Sequence, residues 1–456
     1  MSLTTCNILI SQQSERTVTV TRSLSKLLQL NTSRTITVRL GNKSSTHPVK
    51  VVNRKGYFVV LPHAVASQIR LPSGGKCMVK SNTGKDLQFG PLIGIMTSTS
   101  NNPVLPFGSR TGFVKEFLRA ASNKFAYYFV FSPRNVNWDE EVVTGYFPSS
   151  GGRWVRKTVP LPDVIYNRLP SRSAEKSISM EDFKEKFVRR NIPIFNWSFF
   201  DKSDVYRLLA GDEANEHVPE SHNRPTSQII RTMMEKHRFV YLKPTAGSLG
   251  IGIYRLTYSP ERGYFARFRR NGSNVLMRFS RFEGLMRLLK NHGVRMQYYV
   301  VQQGIRLIEI DSCPIDFRFH MTKNGDNEWV TSGIGAKKAG KGSVTTHVRT
   351  GGQLMTPEQV LNRVFGSRGD SVLEKAKAVA IKLANSIERN YSRPLGELGF
   401  DLGIDKNERI WMFEANAKPG RSIFKHPSLK SQGKTSLKNL IDHCMYLSRF
   451  QLRREG

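Results

Sequence analysis

The sequence predicts an α+β protein in three parts, residues 1–96, 104–197 and 198–456. Three observations carry that reading. A chain of 456 residues exceeds what one core normally organises. Its first part is broken into short β-branched runs. Its last part mixes such runs with a helix whose apolar residues recur at steps of three and four.

In residues 1–96, the runs at 17–20, 35–40, 51–52 and 57–61 are rich in Val, Ile, Thr, Tyr and Phe and are separated by Gly, Asn and Ser. They read as a small barrel or sandwich. Residues 62–69 fit one short helix. Gly90-Pro91 introduces 92–96, expected as the last strand of this part, and the polar stretch 97–103 reads as a linker. In 104–197, Phe113, Val114, Phe117, Leu118 and Ala121 make one helical face. The apolar runs 125–131 and 163–167 read as buried strands, which suggests a compact α/β layer. The segment 171–186 leads into a helix with Phe183 and Phe187 one turn apart. From 198 onward, Asp201 opens a helix carrying Lys202, Val205, Leu208 and Leu209. Strands follow at 239–243, 253–257, 264–268, 298–303 and 317–321. Leu373, Ala376, Ala380, Leu383 and Ile387 mark an amphipathic helix.

Lys plus Arg number 70 against 36 Asp plus Glu, a formal charge of +34. Such a field favours nucleotide phosphates, acidic polymers, nucleic acid or an anionic membrane surface as partners. The excess is uneven: residues 1–80 hold a single acid, Glu15. A basic domain with no dedicated polyanion ligand is the simpler reading of that stretch. Nucleic acid is the less favoured partner, because the aromatic–arginine alternation at 264–270 is also what a strand with two different faces produces. Cys6, Cys77, Cys313 and Cys444 form no C-x-x-C pair, which argues against a zinc site or disulfide framework and fits a reducing compartment. No signal peptide is evident and no apolar run is long enough to span a bilayer. The expected location is cytoplasmic, or a deposit reached without classical secretion. There is no H-E-x-x-H, no G-x-S-x-G and no kinase catalytic loop.

The chemistry concentrates in 400–420, two short strands joined by a turn at 405–408. Asp401 sits on the first strand. Glu414 and Asn416, two residues apart on the second, point to one face. Two carboxylates and an amide oxygen suit Mg²⁺, a hard cation commonly shared between protein carboxylates and substrate phosphates. Taken alone, the same residues read equally well as acids on a solvated hairpin. The segment 243–252, Lys-Pro-Thr-Ala-Gly-Ser-Leu-Gly-Ile-Gly, lies between two strands. Its glycines let backbone N–H groups approach phosphates, and Lys243 adds a point charge. It is neither a Walker A loop nor a dinucleotide fingerprint, and in isolation a hairpin with permissive glycines explains it. The strand ending in Gln302-Gln303-Gly304 offers backbone groups to a purine edge. Asp316 and Arg318 share a strand face and suit either an ion pair or bidentate capture of phosphate or carboxylate. Lys337, Lys338 and Lys341 read as a solvated basic loop. His320 and His347 read as neutral structural residues.

In order, these motifs resemble the ATP-grasp superfamily. More closely, Gln302 to Ile305, Asp316 to Arg318, Gly333 to Gly335, residues 342–346 and Glu414 to Arg421 resemble the YheC/YheD group of ATP-grasp proteins associated with the endospore coat. The superfamily resemblance spans 198–425, and the strand-rich region ending in 89–95 resembles the narrower group as well. It implies two α+β subdomains gripping ATP. It also implies carboxylate–amine ligation through an acylphosphate, with ATP and Mg²⁺ and a carboxylate-bearing substrate, small molecule or peptide. By the same resemblance Lys202 and Lys243 contact phosphates, and Gly247, Ser248, Gly250 and Gly252 close over them. Gln302, Gln303, Gly304 and Ile305 form the adenine hinge. Arg318, with Lys243, serves the transferring phosphoryl group, and Asp401, Glu414 and Asn416 hold the metal. The alternative is a nucleotide-binding structural or assembly protein of the spore coat that does not turn over. An acidic polymer or a spore-coat component is the further partner implied.

Overall fold

The computed structural model describes residues 2–32, 34–245, 252–340 and 352–451, with the backbone alone at 150, 202 and 203. The strands collect into four sheets. The first is a closed barrel in the order Ser2–Ser11, Phe58–Pro62, Val18–Thr21, Lys43–Val52, Thr35–Leu40, Asp86–Gly90, Gly75–Ser81. Alternation builds it: Val18 and Val20, Ile36, Val38 and Leu40, and Val59 and Leu61 are buried, while the intervening residues face outward. The short helices Arg22–Leu27 and His63–Gln68 add Leu24 and Val65 to the same core.

Residues Leu92–Met96 do not close this barrel, as the sequence led us to expect. They form a central strand of the second sheet, parallel to Tyr127–Phe131 on one side and Val164–Asn167 on the other. All five residues are buried, the pattern of a parallel strand covered on both faces. One cover is the barrel core with Phe187, and the other is formed by the helices Thr111–Ala120 and Lys430–Leu447. The last helix thus returns from the end of the chain to an early sheet.

The third sheet is antiparallel, ordered Ser221–Asn223, Tyr299–Gln303, Phe239–Pro244, Tyr254–Ser259, Gly263–Arg270, Ser273–Phe279. The helices Ser227–His237 and Phe282–Asn291 cover one of its faces. The fourth is ordered Gln353–Met355, Trp329–Lys338, Cys313–Lys323, Glu397–Ile404, Ile410–Asn416. Phe317, Phe319 and Met321 pack with Phe400 and Leu402 against the 22-residue helix Gly369–Asn390. With a strand period of two, Asp316, Arg318 and His320 therefore occupy the opposite face. Among the described residues, no helix is long and apolar enough to cross a membrane.

Candidate active site

Register fixes the site. Arg318 lies directly across from Asp401, and Asp401 directly across from Glu414. Residues opposed in an antiparallel pair project to the same side with Cβ atoms about 5 Å apart. Asn416 lies across from Gly399, two positions along that face. On the other flank Lys337 lies across from Asp316. One sheet face thus carries Asp316, Arg318, Lys337, Asp401, Glu414 and Asn416.

The side chains interlock. Arg318 grips Asp401 with two bonds, Nε to Oδ1 at 2.9 Å and Nη2 to Oδ2 at 3.1 Å. Lys337 Nζ sits 3.0 Å from both Asp316 Oδ1 and Asp401 Oδ1. Burial alone would depress this ammonium, but Asp316 and Asp401 outweigh it and raise its pKa above the usual lysine value. Asn416 Nδ2 donates to Glu414 Oε1 at 3.0 Å, and its Oδ1 accepts from Arg172 Nη2 at 3.3 Å. Lys337 and Lys338 are therefore strand residues and not a solvated basic loop. Period two through Gly333, Gly335 and Lys337 was the signal that reads the strand onward to the lysine. Arg172 lies far away in sequence, on the short helix Arg172–Glu175, and nothing local announces it.

The third sheet supplies the opposite wall. Lys243 Nζ donates to Gln302 Oε1 at 2.5 Å. It also stands 5.6 Å from the centroid of Phe413, the neighbour of Glu414, within cation–π range. Gln302 Nε2 donates to Tyr206 Oη at 2.6 Å, and Tyr206 Oη lies 3.4 Å from Phe413 O. Tyr206 belongs to the helix Lys202–Leu209, whose start is fixed by the Asp201–Asp204 capping box. That helix thereby joins the two walls. Lys202 is its first residue, and its side chain falls outside the description.

Gly247, Ser248, Gly250, Lys341 and His347 lie outside the described residues. Gly252 is described: its φ is +74°, and a Cβ there would come within 3.1 Å of Pro244 Cγ and 3.3 Å of Tyr299 Oη. The loop's return to the next strand thus requires glycine. At the hinge, Gln303 N–H donates to Glu220 O at 2.8 Å and Gly304 N–H to Phe239 O at 3.0 Å. Those amides serve the sheet and are not free to donate to a ligand. A Cβ at Gly304 would fall 2.1 Å from the Phe239 ring. His320 is fully buried, and desolvation lowers its pKa to about 4, so it is neutral at physiological pH.

The donor set fits Mg²⁺. Asp401, Glu414 and Asn416 present hard oxygens from two adjacent strands, with Asn416 oriented by Arg172. Three carboxylates on this face, Asp316, Asp401 and Glu414, meet two cations, Arg318 and Lys337. Arg172 beside Asn416 adds a third cation; the carboxylate and amide oxygens suit a divalent ion, while the arginine and lysine beside them suit phosphate oxygens.

Two sheets linked through Lys243, Tyr206 and Phe413, one bearing Lys243 and the other an acid–amide pair, have the ATP-grasp architecture. Residues 191–447 match the family described as YheC/D like ATP-grasp, and the chain belongs to that family. It is 33% identical to the endospore coat-associated protein YheD of Bacillus subtilis (strain 168) over 368 residues, 79% of this chain and 80% of that protein. To the endospore coat-associated protein YheC of the same organism it is 24% identical over 328 residues, 70% of this chain and 87% of that protein. Among solved structures it is similar to the D-cycloserine synthetase DcsG, with 14% identity, a TM-score of 0.45, and coverage of 77% of this chain and 99% of that one.

Proposed function

We propose that this protein is an ATP- and Mg²⁺-dependent ligase that activates a carboxylate as an acylphosphate and passes the acyl group to an amine or related nucleophile. The observation that carries the reading is the register-locked array of Arg318, Asp401 and Glu414 on one sheet face, opposite Lys243. When bound, Mg-ATP supplies the phosphoryl group. Asp401, Glu414 and Asn416 hold the metal. Lys243, with Lys202, would neutralise phosphate charge, and Gly247 to Gly252 would cover the phosphates. Gln302 keeps Lys243 extended toward the cleft, and residues 302–305 form the adenine hinge. Arg318, already oriented by Asp401, presents a planar fork to the oxygens that gain charge as the phosphoryl group moves. Such a reaction needs positioning and charge stabilisation, with no covalent enzyme intermediate.

The test is product analysis with Mg-ATP and candidate carboxylates. ADP with inorganic phosphate is the expected pair, and AMP with pyrophosphate would overturn the acylphosphate route. The names of the YheD and YheC relatives favour a second reading, a nucleotide-binding assembly protein of the spore coat. Tight Mg-ATP binding with no phosphate release across a spore-forming-cell extract is the outcome that selects it.

A further inference from the structure

The face of the third sheet that carries Lys243 continues onto two further strands. Tyr241 lies two residues before Lys243 and directly across from Arg255, and Arg255 lies directly across from Arg267. Residues two apart on a strand, and residues opposed across an antiparallel pair, share a face. Leu276, across from Arg267, and the opposed pair Thr257 and Phe265 complete the patch. The other face of these strands is closed by helices, with Leu256, Ala266 and Phe268 buried beneath them. Arg255, Thr257, Phe265, Arg267 and Leu276 line a pocket of about 240 Å³.

Two like charges placed directly opposite weaken a strand pair, and no acid on these strands offsets them. Phe239–Pro244, Tyr254–Ser259, Gly263–Arg270 and Ser273–Phe279 contain neither Asp nor Glu. Glu261, in the turn between the second and third of them, is exposed and lies beyond Ser259, roughly 13 Å along the strand from Arg255. Among the described residues neither Arg255 nor Arg267 is ion-paired. The Arg255 guanidinium lies over the Phe239 ring, 4.4 Å from its centroid, which holds the fork in one orientation. Its Nε is buried and has no hydrogen-bond partner among the described residues. An oriented guanidinium with a donor unused suits a carboxylate or a phosphate. The rest of the lining is largely apolar: Phe265, and Leu276 with 57% of its surface exposed.

Size and ring geometry favour a peptide among such anions. The pocket is smaller than the roughly 300–1,000 Å³ of sites that enclose a small molecule, and it matches side chains of a segment lying across it. Single-stranded nucleic acid binds by stacking bases on bare aromatic faces. Here Arg255 covers Phe239, Lys243 stands 5.3 Å from the Tyr241 centroid, and Tyr258 stacks on Tyr264. We infer that this patch binds an acidic peptide segment, with a carboxylate on Arg255 and Arg267 and an apolar neighbour against Phe265 and Leu276. Two strand spacings, roughly 10 Å, separate the strand of Arg267 from that of Lys243, so the bound segment lies beside the lysine. The site does not depend on the nucleotide reading of Lys243.

Fluorescence anisotropy of the full chain tests it, at about 0.15 M salt, where distant charges are screened. The probes are a labelled hexapeptide alternating Leu and Glu, its Leu and Gln counterpart, and an oligothymidylate of the same charge. The Leu–Glu peptide should bind at least about tenfold tighter than either other probe. Arg255→Gln with Arg267→Gln should weaken it about tenfold. Arg262→Gln with Arg270→Gln removes the same charge from exposed positions outside the pocket and should change it by less than about twofold. Leu276→Glu, on the exposed rim, should weaken it as well by placing a carboxylate among the arginines, and melting curves check that each variant folds. Equal binding of the two peptides, tighter binding of the oligonucleotide, displacement of the peptide by Mg-ADP, or equal losses in the two double variants overturns the site. Peptide binding that behaves as expected in a protein that fails to bind Mg-ADP upholds the site and strikes the nucleotide reading instead.

Discussion

Replacing Lys337 with Met should destabilise the fourth sheet and make it depend on a divalent cation. The ammonium is 3.0 Å from two carboxylates, with side-chain exposure of 13% for the lysine, 14% for Asp316 and 16% for Asp401. Methionine fills much of the same volume but leaves Asp316 and Asp401 with a surplus negative charge that water reaches poorly. Removing one partner of a fully buried pair costs about 3–5 kcal/mol; the residual exposure brings this to about 2–4 kcal/mol. For an unfolding unit of this size each kcal/mol is worth about 2–4 °C, so a fall of roughly 5–15 °C is expected. Differential scanning calorimetry at neutral pH reads it. The lysine is protonated in both folded and unfolded states there, so the loss reflects its charge and not a titration. Two further results are expected. Adding Asp316→Asn should recover about 1–2 kcal/mol, because the surplus charge is gone. Mg²⁺ should raise the melting temperature of Lys337→Met more than that of the wild type, since the ion takes over the neutralisation of Asp401. A variant that melts with the wild type, or equal Mg²⁺ shifts in the two proteins, would refute the argument that Lys337 balances this acid cluster.

Glu414→Gln combined with Asn416→Ala should abolish most of the melting-temperature shift produced by Mg-ATP, because binding to the folded state alone stabilises by mass action; an undiminished shift removes these residues from the metal site. Arg318→Lys should lower turnover by about 10²–10³ with little change in nucleotide affinity, since a point charge replaces a planar fork where phosphoryl charge develops; unchanged turnover returns Arg318 to a structural role. His443 is buried without a hydrogen-bond partner among the described residues, and desolvation holds its pKa at about 3. The unfolded chain therefore takes up this proton first. The stability is complete above pH 6.5 and is lost as pH falls toward 3, by a limit of order 5 kcal/mol. His443→Leu should flatten the fall in stability between pH 6.5 and 5 in urea titrations, and an unchanged slope would count against the burial argument. Labelled polyglutamate should bind the protein at low salt and dissociate steeply as salt rises, given one acid in residues 1–80; no binding at low ionic strength leaves that charge without a ligand.

Local pattern determined a good deal of this protein. Alternating β-branched runs marked four of the seven barrel strands and missed Ser2–Ser11, Gly75–Ser81 and Asp86–Gly90; three-and-four spacing marked the helix Gly369–Asn390, and the same-face spacing of Glu414 and Asn416 followed from the two-residue period of a strand. These are short-range properties, fixed within a few residues by backbone geometry. The placement of Leu92–Met96 was not among them: an apolar run satisfies any buried strand position, and only packing assigns it to the second sheet. The tertiary structure also decided the partners of Asp401. Arg318 is 83 residues away and Lys337 is 64, so only strand register brings these two cations to one carboxylate. Tyr166, Arg168, Glu397 and Arg421 come from even more distant elements and meet because the second sheet lies over the end of the fourth. Residue type and spacing give each side chain its chemistry and its face. Which charges share one desolvated volume depends on long-range contacts that no window of sequence contains.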